Sequence, residues 1–121
     1  MDNSNSQSSN TLLYNVSYLI INSMDDEKQE YRLPDQKTLQ HATKLAIVDD
    51  KPIMLDYWNE SLDKTVLIGV KENQEKLLVK SEEEYTSPIV KIYKTGSEYI
   101  IATENSIYLV DVNIPTKRIS S

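Results

Sequence analysis

From residue 53 onward the chain is written in short runs that alternate apolar with polar residues, and turn formers stop every run. Val66, Ile68 and Val70 are spaced by two, as are Tyr99 with Ile101 and Ile107 with Leu109. A period of two puts alternate side chains on one face of an extended strand. Strands this short, joined by brief links, pair with their neighbours in antiparallel order, because a parallel pair needs a crossover of about a dozen residues. The class this dictates is α+β: a curved antiparallel sheet of about eight short strands, or two sheets packed together, with a helix packed across one face or end.

Strands are expected over 53–58, 64–71, 76–80, 89–94, 98–103 and 106–112. The last three form a meander through Thr95-Gly96-Ser97 and Glu104-Asn105. Two more precede them, over 12–22 and 29–33, where Tyr14, Val16, Tyr18 and Ile20 alternate before the polar turn Met24-Asp25-Asp26-Glu27-Lys28. A short edge strand over 114–119 is restricted by Pro115, which has no N–H to donate.

One segment keeps a different period. Between Pro34 and Pro52, the residues Leu39, Ala42, Thr43 and Ala46 recur at helical spacing, and Asp35 is placed to cap the first turn. The spacing predicts a helix over about 35–48, with Gln36, Lys37, Gln40 and Lys44 in water. The predicted core is Leu39, Ala42, Ala46, Val66, Ile68, Val70, Ile92, Ile101 and Leu109. Residues 1–10 are polar and of low complexity, so they read as a flexible tail before a single domain over 11–121. They show neither the basic start and apolar run of a signal peptide nor the glycine that myristoylation requires.

Composition narrows the chemistry. The net charge of −6 disfavours nucleic acid as the main partner, since duplex binding draws on a positive field. No stretch approaches the ~18 apolar residues of a membrane helix. There is no cysteine, which excludes disulfides and thiolate chemistry, and one histidine, which excludes an all-histidine metal site within the chain. The two glycines, Gly69 and Gly96, cannot build a phosphate-cradling loop. Gly69, inside a strand, marks a bulge or a close approach.

His41 lies beside Lys37 and Lys44 on the helix, with no motif supplying a nucleophile or an orienting carboxylate. The acidic groups Asp49, Asp50 and Asp56, and Asp25, Asp26 and Glu27, lack the spacing of a calcium loop and read as solvated turns. Glu82-Glu83-Glu84 reads as a solvated loop, Lys71-Glu72-Asn73 as a turn, and the sequons at Asn15 and Asn59 as chance. Strand tyrosines with Lys64, Lys71, Lys76, Lys80, Lys91 and Lys94 could stack single-stranded bases, but lysines on strands more often protect edges. No catalytic residue, cofactor or metal is expected.

The aromatic residues are eight Tyr and one Trp, with no Phe. Such side chains keep a polar atom and tolerate half-burial, which suits a contact surface. The residues expected to carry a partner are Tyr57, Trp58 and Tyr93. The partner would be a protein or a second copy of this chain. A pocket between helix and sheet, lined by Tyr57, Trp58 and Tyr99, would instead mark a ligand binder or small enzyme.

Lysine far outnumbers arginine, and residues with AT-rich codons dominate those with GC-rich ones. The segments 33–39, 50–58 (Asp50-Lys51-Pro52-Ile53-Met54-Leu55-Asp56-Tyr57-Trp58), 84–89 and 103–108 resemble small uncharacterised proteins of giant, nucleocytoplasmic large DNA viruses. The resemblance carries no catalytic residue. It implies a setting in a viral factory or a virion, within the producing or host cell. The missing nucleophile–base pair, metal cluster and glycine-rich loop, together with the tyrosines, point to a non-enzymatic structural or adaptor protein, with a host-directed regulator as the alternative.

Overall fold

The computed structural model describes residues 31–120. The expected strand over 12–22, residues 29–30 of that over 29–33, the 1–10 tail and the Asp25–Glu27 cluster lie outside the described residues; residues 31–33, which are described, form no strand. The chain divides into Met1–Leu33 and Pro34–Ser121, and the fold that follows is that of the second unit.

Its elements are α1 (Gln36–Asp49), β1 (Ile53–Met54), α2 (Trp58–Leu62), β2 (Leu67–Val70), β3 (Lys76–Val79), β4 (Ile89–Thr95), β5 (Glu98–Thr103), β6 (Ile107–Asp111) and β7 (Thr116–Arg118). The class is α+β, in two sheets: a four-stranded one ordered β1-β6-β5-β4 and a three-stranded one ordered β3-β2-β7.

The brief links do make antiparallel pairs: β2 with β3, β4 with β5, and β5 with β6. The wholly antiparallel expectation is corrected at both ends of the series. β1 pairs parallel with β6, setting Ile53 opposite Ile107, and β7 pairs parallel with β2, setting Lys117 opposite Gly69. Each of these strands is far in sequence from its partner, so the intervening chain supplies the long crossover that parallel pairing needs.

A second correction concerns residues 53–58. The strand ends at Met54, and Trp58 opens a second helix. Trp58, Ser61 and Leu62 follow the i, i+3, i+4 spacing of a helix face, and all are at least half-buried. The Ser61 hydroxyl, fully buried, donates to the Trp58 carbonyl at 2.6 Å and accepts the Asp111 N–H at 3.0 Å. It thereby ties α2 to β6.

β5 and β6 are covered on both faces. Ile100, Ala102, Ile107 and Leu109 pack with Ala42 and Trp58 on the helix side. Ile101 and Val110 pack with Tyr57, Val66, Ile68, Leu78 and Ile114 on the side of the second sheet. The layers are therefore helices, four-stranded sheet, three-stranded sheet. Of the predicted core, Ala42, Val66, Ile68, Ile101 and Leu109 are buried, while Leu39, Ala46, Val70 and Ile92 are half-buried.

Both ends of α1 are fixed to β5. Asp35 makes no side-chain cap. Its N–H instead donates to the buried Glu98 carboxylate, at 3.0 Å to Oε1 and 3.1 Å to Oε2, which sets a negative group at the helix N-terminus. The hydroxyls of Thr38 and Thr95 meet at 3.1 Å. At the other end Lys51 Nζ donates to the Thr103 carbonyl at 2.7 Å. The helix terminates at Asp50, whose φ of 55° is left-handed and whose N–H returns to the Ala46 carbonyl. β4 turns into β5 through Gly96, whose φ of 62° suits the first central position of a type II′ turn.

Candidate groove between α1 and β4

Because α1 follows β5, it leaves a groove along its flank above β4. His41 and Lys44, both exposed, stand three residues apart on that flank, with half-buried Leu45 beneath them. From β4 come Tyr93, Lys94 and Thr95, and Ile100 of β5 completes the floor; the groove encloses about 400 Å³. Register fixes the faces: Tyr93 lies opposite Ile100 and Lys91 opposite Ala102, so both point to the helix side. Lys91 Nζ sits 5.3 Å from the centre of the Tyr93 ring. Half-buried Tyr93 is thus held by packing on one side and by an ammonium on the other. Chemically the groove offers an aromatic ring, hydroxyls and ammonium groups.

The three residues singled out from sequence do not form one surface. Tyr57 and Trp58 are each 5% exposed, and though adjacent in the chain they belong to the cores on opposite sides of the sheet. Trp58 shares its core with Tyr93. The Tyr57 ring meets Tyr108 edge-on at 5.2 Å and carries Lys80 Nζ at 4.6 Å from its centre. Burial pushes the Tyr57 phenol up to about 12, helped by Tyr108 and the carboxylates of Asp56, Glu84 and Glu60. Burial likewise raises Tyr108, and Asp56 adds to it. Nor do Tyr57, Trp58 and Tyr99 line one cavity, since Tyr99 packs with Tyr57 and away from Trp58.

His41 is at the mouth of the groove, a position its helical spacing with Lys44 could have suggested. The carboxylates of Asp49, Asp50 and Asp56 do not converge: among the described residues no group of three or more His, Asp or Glu could hold a metal ion. Glu83 and Glu84 donate their N–H groups to Ser81 Oγ in an exposed turn. Lys71 and Glu75 close the turn over 71–75 with an ion pair of 3.3 Å. At the Asn59 sequon the asparagine is exposed and Ser61 is buried. Gly69 marks a close approach, because a Cβ there would lie 2.7 Å from Ile119 Cδ1.

A second groove, on the outer face of the three-stranded sheet, has Leu77, Val79 and Ile119 as its floor and exposed Tyr85 at its side. Among the described residues no helix is long and apolar enough to cross a membrane. Compared with known proteins, the chain matches no family model, no curated protein and no solved structure.

Proposed function

We propose that this protein is a non-enzymatic adaptor or structural subunit that holds another protein in the groove between α1 and β4. The observation that supports this reading is Tyr93, a half-buried aromatic on β4, which among the described residues is an edge strand of its sheet. A ring already held by packing loses little side-chain entropy when a partner covers it. Tyr57 and Trp58 serve the site from within: Trp58 packs in the core that supports Tyr93, and Tyr57 holds the opposite face of the sheet. The viral resemblance makes a virion or viral-factory component the proposed setting.

The test is retention of a protein partner from extracts of the native source by the full chain, by Tyr93→Ala and by Tyr85→Ala, each first shown to be folded by its thermal melt. A partner retained by the parent and by Tyr85→Ala, and lost by Tyr93→Ala, supports the groove. Retention untouched by Tyr93→Ala removes it. Turnover of a small substrate that disappears in His41→Ala overturns the non-enzymatic reading.

A further inference from the structure

We infer that the segment held in this groove is acidic and extended, and pairs along β4; this rests on the groove being the binding site. The chain carries a net charge of −6, yet the groove is basic. Lys37, His41 and Lys44 are spaced by four and three, so they share one face of α1, the face that borders the groove. From β4 the helix-side cation is Lys91, over the Tyr93 ring; Lys94 borders the groove through its place in the strand, but it stands opposite Tyr99, on the other face. None of the described residues lining the groove is acidic. Lys37, Lys44, Lys91 and Lys94 enter no ion pair among the described residues. The nearby Glu98 carboxylate is turned inward, onto the Asp35 N–H. A row of like charges with no counter-charge among the described residues is complementary to carboxylates arriving from outside.

The extended form follows from β4. At seven residues it is the longest strand described and it ends its sheet, so along one edge its backbone has no strand partner among the described residues. A peptide added there gains main-chain hydrogen bonds, and its alternate side chains fall toward the helix side, where Tyr93, Lys91 and Lys44 lie. The strand's own pairing shifts between Ile89 and Lys91, with Val90 exposed, so the regular stretch open to a partner is 91–95. Lysines on an edge strand also deter self-association. That role requires no selectivity among ligands, and the experiment reads selectivity.

Fluorescence anisotropy with the full chain compares three labelled probes: an eight-residue peptide alternating Glu with Val, its Lys-for-Glu counterpart, and a single-stranded oligonucleotide of eight bases. The acidic peptide is expected to bind, to weaken as salt rises, and to weaken about tenfold in Lys44→Glu/Lys91→Glu. The lysine peptide is expected not to bind. Equal binding of both peptides, no binding of either, or an unchanged affinity in the double variant overturns the inference. Tighter binding of the oligonucleotide overturns it in favour of nucleic acid. A partner lost in Tyr93→Ala while the acidic peptide fails to bind refutes the acidic class and leaves the groove standing. A partner retained by Tyr93→Ala refutes the groove itself.

Discussion

Replacing Ser61 by Ala removes one oxygen that serves two elements. Its hydroxyl is fully buried, donates to the Trp58 carbonyl at 2.6 Å and accepts the Asp111 N–H at 3.0 Å. An ordinary hydrogen bond contributes about 0.5–1.5 kcal/mol, and a buried donor left without its acceptor costs about 1–3 kcal/mol. The two together give an expected loss of about 2–3 kcal/mol. In a unit of this size that lowers the melting temperature by roughly 10–20 °C. Thr43 supplies the control: its hydroxyl also donates to a helical carbonyl, that of Leu39 at 2.7 Å, but in water. Thr43→Ala should stay within about 0.5 kcal/mol, because water replaces the bond and alanine favours the helix. Urea unfolding followed by the fluorescence of the single tryptophan, Trp58, reads both variants from inside the affected core. A loss below about 0.5 kcal/mol for Ser61→Ala, or an equal loss in Thr43→Ala, would refute the bridge between α2 and β6.

Leu109→Ala should cost about 2–5 kcal/mol in the same assay, since the side chain is fully buried in the helix-side core; a loss under 1 kcal/mol would show that core to be loosely packed. Alkali should destabilise the fold through Tyr57, whose phenol is pushed up to about 12. Below pH ~10 the phenol is neutral in both states, and between ~10 and ~12 the unfolded chain loses the proton first. Stability therefore falls there by about 1.4 kcal/mol per pH unit, and a pH series of urea midpoints on Tyr57→Phe should show a shallower decline, with Tyr108 supplying the remainder. Asp50→Gly should raise stability by about 0.5–1.5 kcal/mol, because glycine accepts a φ of 55° without strain and a carboxylate leaves the negative end of α1; an unchanged melting temperature would argue against both effects.

Local chemistry was legible in the sequence where it decides the structure. Pro34, Pro52 and the Leu39–Ala42–Ala46 spacing locate α1 to within about a residue at each end, and Gly96 marks the β4–β5 turn. Tertiary cover was not legible. Ile100 with Ile101, and Leu109 with Val110, break strict alternation, which is the mark of strands covered on both faces, but the pattern does not say what covers them. The same limit explains the candidate site. Residue type nominated Tyr57, Trp58 and Tyr93 together, and only the placement of α1 shows that Tyr93 borders a groove with Lys44 and His41. Aspartate at position 35 is a strong capping signal, yet Glu98, distant in sequence, takes the N–H at that end. Contacts between segments far apart in the chain leave no local trace.

The order in which strands join the two sheets has a consequence for how the unit can be divided. The first sheet takes β1, β4, β5 and β6, and the second takes β2, β3 and β7, so the chain leaves each sheet and comes back to it. No single cut separates one complete sheet from the other. A nick between β3 and β4 strands β1 on one fragment and β7 on the other, each parted from the strand it pairs with. Either fragment alone would expose an apolar sheet face. The two are therefore expected to fold only on each other, by complementation, and the intact unit to melt in one cooperative step rather than sheet by sheet.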